Sequence, residues 1–362
     1  MSSKCLVIIG NGFDLAHGFP TSFYDFSEWL LKKYVHQFHK EVIGNQISDT
    51  FTEEMKNKFS QGKYQYNAHK HIGDAFEGLF YNLQHNLKED TLNLLKSDPA
   101  LFAKFFRKKF IVELYLRREL EWFAIENTYF RFLYSYAKKG DQSYRERVIL
   151  DLNSQLEQIK KELRTYLRSI EISKNRHVDK FLSTTFKNYS NIVFVDFNYT
   201  GTIKLYLNSS FSDNQHVEVI NVHGTIVDEN EIFGYGDDKS DEYQELKSLE
   251  EDYFLENFKT INYNMDKHYQ RLIERISPQS KFDVHVLGHS FGRTDKTLLN
   301  EIFDHPNAKK IHLYKRLDFA QDPDKQYKSF KNSMMAISRI MLDESDVRSK
   351  VVNFQDSPTF PS

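Results

Sequence analysis

The stretch "LVIIGNGFDLAHGFPTS" (residues 6–22) constrains the fold of this chain more than any other. Four apolar residues break abruptly into Gly10-Asn11-Gly12, and a third glycine follows in the turn Gly18-Phe19-Pro20. A buried strand that runs through a glycine turn into a helix is how α/β folds present backbone N–H groups to phosphates. Leu15 stands where the dinucleotide fingerprint needs its last glycine. The stretch therefore indicates either a nucleotide site or a tight strand-to-helix turn.

Composition excludes several classes of protein. The chain has 362 residues and a formal net charge of −2, which argues against a nucleic-acid binder that works through a general basic surface. The single cysteine, Cys5, leaves no disulfide within the chain and favours a reducing setting. The apolar core of "MSSKCLVIIG" is too short for a signal peptide, and no stretch approaches the roughly 18 apolar residues of a membrane span. We therefore expect a cytoplasmic globular protein with no membrane partner.

Two kinds of periodicity divide the chain. Helical spacing dominates to about residue 172, and short strand-like runs follow at 191–200, 217–224, 282–290 and 308–316. Helical segments alternate with these runs, including one that we predict as a single long helix over 249–276. Strands that alternate with helices predict an α/β fold, with a Rossmann-like parallel sheet covered by helices on both faces. We expect one domain from residues 1–35 and 181–320, an all-helical insertion over 36–180, and a C-terminal helix and tail over 321–362.

Polar groups follow four of the apolar runs. These are the glycine loop at residue 10, "FNYT" after the second run, "VHG" after the third and "GHS" after the fourth. In open parallel sheets, ligands bind outside the carboxyl ends of the strands. Each group alone is explained by a turn or a helix cap. Together, they predict a functional edge of the sheet.

The motifs resemble a known family. "IIGNGFDLAHGFPTSFYDF", "FNYT", "NVHG", "FGYGDD" and "VLGHSFGRTDK" are similar to the abortive-infection AbiH family of bacterial phage-defence proteins. At a greater distance, the order of the motifs resembles the sirtuin-like NAD-binding fold. In that fold a glycine loop and a G-x-P turn cradle NAD, an Asn and a His-Gly end two strands, and a G-x-S loop holds ribose. The zinc-binding cysteines of deacylating sirtuins cannot exist in a chain with one Cys.

The resemblance implies hydrolysis of the nicotinamide–ribose bond, with NAD or a related nucleotide as substrate. Asn198 would hold the ribose hydroxyls or the water, and His223 would transfer a proton. The implied nucleotide-binding residues are Gly10, Asn11, Gly12, Phe13, Asp14, Gly18, Pro20, Gly288, Ser290 and Asp295. The N–H groups of residues 10–13 would face the pyrophosphate. For Asp14, capping the helix or binding a ribose hydroxyl suits an anion better than the diphosphate does, and for Asp295 we favour capping the next helix.

Other interpretations stay open. "GHSFG" is a literal G-x-S-x-G, the pattern of a serine hydrolase nucleophile at Ser290, although only His305 and His312 follow it. A third interpretation is a protein that senses a nucleotide or a partner without catalysis. A phage-derived trigger and assembly into a homo-oligomer are open as partners. We expect no metal, because the near pairs His36/His39, His69/His71 and His285/His289 lack a completing ligand at suitable spacing.

Overall fold

The computed structural model describes residues 3–44, 88–97, 109–116, 121–277 and 280–361. Its helices and strands are, in chain order, β1 (Lys4–Ile9), α1 (Asn11–Leu15), α2 (Phe23–Gly44), α3 (Lys88–Ser97), α4 (Lys109–Leu116), α5 (Phe123–Ala137), α6 (Gln142–Arg168), α7 (Arg176–Thr185), β2 (Asn191–Asp196), β3 (His216–Asn221), α8 (Asp241–Lys247), α9 (Lys259–Tyr263), α10 (His268–Ile276), β4 (Phe282–Leu287), α11 (Lys296–Phe303), β5 (Ala308–His312), β6 (Lys315–Arg316), α12 (Pro323–Ser338), α13 (Glu344–Lys350) and β7 (Thr359–Phe360). Short 3₁₀ turns cover Thr202–Tyr206, Asp252–Phe254, Arg293–Asp295 and Leu317–Phe319.

A five-stranded parallel sheet forms the centre of one compact unit. Its strand order is β3-β2-β1-β4-β5, and every neighbouring pair is parallel. β1 pairs with β2 on one side and with β4 on the other, so the prediction that the first apolar run lies beside strands from the later half is confirmed. The chain adds β2 and β3 to one side of β1 and then returns to add β4 and β5 to the other. The topological switch point, where such sheets bind ligands, therefore lies between β1 and β4.

Both faces of the sheet are covered, as alternating strands and helices predict. Side chains along a strand point to opposite faces in turn, so β1 contributes to two separate hydrophobic clusters. Cys5, Val7 and Ile9 pack with Val178 and Leu182 of α7. Leu6 and Ile8 belong to the opposite cluster, whose helical members include Leu272 of α10, Leu299 of α11 and Ile337 of α12.

The compact units are bounded differently from the predicted domains. One unit comprises Met1–Ser22 and Trp122–Ser362, and the other comprises Phe23–Glu121. Helices α5 to α7 thus belong with the sheet rather than with a helical insertion over 36–180. The reason is side-chain burial: α7 packs its apolar face on the sheet, and α5 carries a carboxylate that bonds to the loop after β3. In the smaller unit, Glu28 of α2 pairs with Lys96 of α3 and accepts a hydrogen bond from the Tyr115 hydroxyl of α4.

The prediction of one long helix over 249–276 is wrong. The segment contains a 3₁₀ turn and the separate helices α9 and α10. It breaks at Phe258 because the backbone there pairs with another loop: the Tyr235 N–H donates to the Asn257 carbonyl at 3.3 Å, and the Lys259 N–H donates to the Tyr235 carbonyl at 2.9 Å. The predicted C-terminal helix is likewise divided, into α12 and α13, with Asp343 capping the second.

Candidate active site

The loops that follow β1 and β4 are bonded to each other at the switch point. The Gly10 N–H donates to the Leu287 carbonyl at 3.1 Å, and the Gly12 N–H donates to the Gly288 carbonyl at 2.8 Å. A Cβ on Gly12 would lie 2.7 Å from the Cα of Gly288, and one on Gly10 would lie 2.5 Å from the Cα of His289. Glycine is therefore required here because another loop of the same chain approaches closely.

These bonds also occupy donors that we expected to face a pyrophosphate. Besides Gly10 and Gly12, the Phe13 N–H donates to the Gly10 carbonyl at 2.8 Å. Three of the four N–H groups over residues 10–13 are thus bonded within the protein, and Asn11 is half-buried at the start of α1. If a nucleotide binds at this loop, Asn11 and the neighbouring side chains would have to make the contacts.

Asp14 lies buried beside the end of β2. Its Oδ2 accepts a hydrogen bond from the Thr200 hydroxyl at 2.7 Å, and its Oδ1 is buried with no hydrogen-bond partner. Burial raises the pKa of Asp14 to about 6, against the opposing effect of the Thr200 and Thr202 hydroxyls. The carboxylate does not cap α1, so the capping interpretation of Asp14 is wrong. It ties the first loop to the "FNYT" segment instead.

Asn198 is held in a single orientation at the same edge. Its backbone N–H donates to Asp196 Oδ1 at 3.0 Å, and its Nδ2 donates to the Gly10 carbonyl at 3.1 Å. A carbonyl can only accept, so the amide nitrogen must face Gly10. The Asn198 Oδ1 makes no hydrogen bond among the described residues, which leaves an acceptor for a ligand or a water molecule.

His223 is buried, with 6% of its surface exposed. Its Nε2 lies 3.2 Å from Asp295 Oδ1 and 3.2 Å from the Tyr263 hydroxyl, and the ring of Phe197 meets it edge-on at 4.9 Å. Its Nδ1 makes no hydrogen bond in the part of the chain that the structure describes. Burial, followed by the charge of Lys259, lowers the pKa of His223 to about 4, so the imidazole is neutral at physiological pH.

Asp295 is the centre of a charged cluster, defined here as Glu126, His223, Lys259, His289 and Asp295, of which the first three are buried and the last two are half-buried. The Lys259 Nζ lies 2.6 Å from Asp295 Oδ1, and the His289 Nε2 lies 3.6 Å from Oδ2. Asp295 stands at the start of α11 but makes no capping hydrogen bond with its side chain, so the capping interpretation is wrong. Its carboxylate instead forms an ion pair with Lys259, which is completely buried.

Sequence reasoning missed Lys259 and Glu126. Lys259, the first residue of α9, is completely buried, and its Nζ lies 2.9 Å from Glu126 Oε1. Glu126, on α5, also accepts the Gly234 N–H at 3.1 Å. One signal was available: Glu126 shares a helical stripe with Phe130 and Leu133, where a carboxylate is out of place. Nothing local marks Lys259, because its position depends on the break in the predicted helix.

The charges in the cluster are mutually compensated. Burial alone would raise the pKa of Asp295, but Lys259 and then His223 outweigh it and hold that pKa well below the ordinary range. Burial raises the pKa of Glu126, which Lys259 only partly offsets. Burial would lower the pKa of Lys259, and the two carboxylates raise it. A lysine and an aspartate therefore remain charged beside a neutral histidine.

The remaining predicted residues lie elsewhere on the loops. Gly18 is exposed with a φ of +77°, and the Pro20 carbonyl accepts the Tyr166 hydroxyl at 2.5 Å. Gly288 and Ser290 are exposed, and the Ser290 hydroxyl makes no hydrogen bond to any residue that the structure describes. The structure thus brings together Gly10, Gly12, Asn198, His223, Gly288 and Asp295 through direct contacts or a shared neighbour.

No metal site emerges from the described residues, since none of their His, Cys, Asp and Glu side chains form a group of three or more that could hold an ion. His285 bonds instead to the hydroxyls of Tyr189 and Tyr314, and Cys5 is a buried free thiol. His69 and His71 lie outside the described residues. The expectation of a metal-free protein stays a prediction, which elemental analysis of the purified protein tests.

These features define an α/β protein whose buried, charged site lies at the carboxyl edge of a parallel sheet. The chain belongs to the bacteriophage abortive infection AbiH family, whose model matches residues 6–315. The match begins within β1 and ends at the first residue of β6, so it covers part or all of every strand of the five-stranded sheet and every member of the cluster. No curated protein and no solved structure matches the chain. Within the described residues, no helix has both the length and the apolar character that a membrane crossing requires.

Proposed function

We propose that this AbiH protein takes part in anti-phage defence by hydrolysing NAD, or a related nucleotide, at the nicotinamide–ribose bond. The observation that carries the proposal is the pairing of His223 with Asp295 at the edge where β1 and β4 diverge. A carboxylate bonded to one nitrogen of an imidazole orients the ring and leaves the other nitrogen to act as a base. The position, at a topological switch point, is where ligands bind in sheets of this kind.

In the proposed reaction, His223 and Asn198 have different roles. His223 Nδ1 would take a proton from water as the oxygen bonds to C1′ of the ribose. The bond to nicotinamide breaks at the same carbon, and its electron pair leaves with the ring, which gives ADP-ribose, nicotinamide and a proton. Asn198 Oδ1 would accept a hydrogen bond from the water or from a ribose hydroxyl.

Two further points support a nucleotide ligand. The strand order is that of the doubly wound sheets that bind nucleotides, and the motif order resembles that of the sirtuin-like fold. The proposed nucleotide contacts remain those that the motifs imply, from Asn11 and Asp14 on the first loop to Ser290 on the last. Gly18 and Pro20 would contribute only through the exposed turn that they form.

Turnover is tested by incubating the purified protein with NAD, NADP and ATP and following base release by chromatography. His223→Gln, which retains a polar side chain in the buried site, should reduce nicotinamide release by about 10²- to 10⁴-fold, the usual contribution of proton transfer. Asn198→Ala should also suppress release. The matched control is His216→Ala, because His216 is exposed at the opposite end of β3.

Each outcome has a distinct meaning. Full activity in a folded His223→Gln protein would contradict the assignment of the base. Nucleotide binding without turnover, in purified protein and in phage-infected cells, would favour the sensing interpretation. Both Asn198 and His223 are buried, so a substitution at either one can also change the stability of the protein. Melting temperatures must therefore accompany every activity measurement.

The serine hydrolase interpretation is disfavoured by the surroundings of Ser290. The adjacent His289 is fully engaged: its Nδ1 accepts the Phe291 N–H at 3.0 Å, and its Nε2 faces Asp295. Downstream, His312 stacks on His285 at 4.4 Å within the sheet. A serine nucleophile needs an imidazole within hydrogen-bond reach, and no described contact supplies one.

A further inference from the structure

The side chain of Lys259 is completely buried, and its ammonium group lies against the carboxylate that contacts His223. It donates to Asp295 at 2.6 Å and to Glu126 at 2.9 Å. A fully buried ammonium is costly unless it is paired, and here two carboxylates pair with it.

Two hydrogen-bond partners compete for the Nε2 of His223. Asp295 can only accept, so it requires a proton on Nε2. Tyr263 lies at the same distance of 3.2 Å and can donate its hydroxyl proton to an unprotonated Nε2. The second arrangement would move the imidazole proton to Nδ1 and remove the free lone pair. The charge on Asp295 decides between these two tautomers.

We propose that Lys259 is a positioning residue: it keeps Asp295 ionised and in place, so that Asp295 holds the proton of His223 on Nε2 and leaves Nδ1 free to accept a proton. The use of Nδ1 as a base rests on the proposed function. The Lys259 ammonium group pairs with Glu126 of α5 and with Asp295, which directly precedes α11. The cluster thus sets the tautomer of an imidazole that Lys259 does not touch.

The charged groups around His223 each raise or lower the pKa of its imidazole ring. Lys259 and His289 disfavour protonation of the ring and Asp295 favours it, in a site where burial is the largest effect. Tyr263 and Tyr199 lie with their rings 6.3 Å and 6.2 Å from the imidazole, and burial raises the pKa of both well above the ordinary range, so they stay neutral. Loss of Lys259 removes the cation that outweighs the burial of Asp295, so this carboxyl group takes up a proton and no longer holds the imidazole proton on Nε2.

The test is NMR of ¹⁵N-histidine-labelled protein, in which the two ring nitrogens report the tautomer directly. The wild-type protein should show His223 with its proton on Nε2, assigned by its disappearance in His223→Gln. In Lys259→Met, Asp295 should take up a proton, and the imidazole proton of His223 should therefore shift toward Nδ1 at neutral pH. Lys4→Met is the matched control, because Lys4 is also buried but lies at the other end of β1.

The outcomes separate this proposal from the proposed function. A wild-type His223 with its proton on Nδ1, or a Lys259→Met protein in which the His223 tautomer is unchanged, overturns the positioning role whatever the activity. The expected NMR result in a protein without NAD turnover overturns NAD hydrolysis alone. Lys259→Met leaves two buried carboxylates, so if it fails to fold, the Lys259→Met/Glu126→Gln double variant carries the same test. If the wild-type protein hydrolyses NAD, Lys259→Met should lower kcat at least tenfold with little change in KM.

Discussion

Asp14 provides a quantitative test of the electrostatics at the edge of the sheet. Its carboxylate is buried, and one oxygen has no partner. Burial raises the pKa of Asp14 from 3.8 to about 6. At about 1.36 kcal/mol per pH unit, ionisation of Asp14 then costs the folded state roughly 3 kcal/mol above pH 6. Between these two pH values the folded protein binds more protons than the unfolded chain, so this contribution to stability falls as the pH rises through the window.

Asp14→Asn removes that pH dependence while it keeps an oxygen for the Thr200 hydroxyl. The new amide N–H group lacks a partner, which costs about 1–2 kcal/mol at every pH. We expect the variant to be about 1–2 kcal/mol more stable than the wild type at pH 7.5 and no more stable at pH 4.5, a difference of about 2 kcal/mol between the two conditions.

Urea unfolding followed by circular dichroism across this pH range measures the effect. Asp213→Asn, at an exposed position of the same compact unit, is the control and should show no pH-dependent difference. If the free-energy difference between wild type and Asp14→Asn does not change with pH, the burial argument for Asp14 is refuted.

Three further predictions follow from the contacts of single residues. Gly12→Ala should destabilise the protein by about 1–3 kcal/mol or more, because its Cβ would lie 2.7 Å from the backbone of Gly288, whereas Gly201→Ala meets nothing closer than 3.8 Å; equal melting temperatures for the two would disprove the packing role. Ser290→Ala should weaken NAD binding by less than about tenfold, through the loss of one hydrogen bond to the nucleotide, and should retain kcat; abolished turnover would restore the nucleophile. Asp295→Asn should reduce the free energy of unfolding by about 3 kcal/mol or more, since it breaks a buried ion pair; an unchanged urea midpoint would contradict the pairing.

Local pattern was sufficient for the sheet and for the edge that carries the site. The apolar runs over 191–200, 217–224, 282–290 and 308–316 each overlap an observed strand of the sheet. The polar residues that follow them lie together because the carboxyl ends of parallel strands share one edge. Asn198 and His223 were placed correctly at this edge by that argument alone. Apolar runs and glycine turns are properties of neighbouring residues, so they can be read from the sequence.

The sequence by itself thus determined the α/β class, the positions of the strands and the family. Only the tertiary structure decided what Asp295 does, why Lys259 is present and how α5 to α7 are assigned. Asp295 looked like a helix cap because capping is its local option; the buried Lys259 drew its carboxylate away. Lys259 meets Glu126 and Asp295 only after three distant segments pack together. The energy of a buried charge depends on which groups surround it in space, and that is a property of the fold rather than of any local stretch.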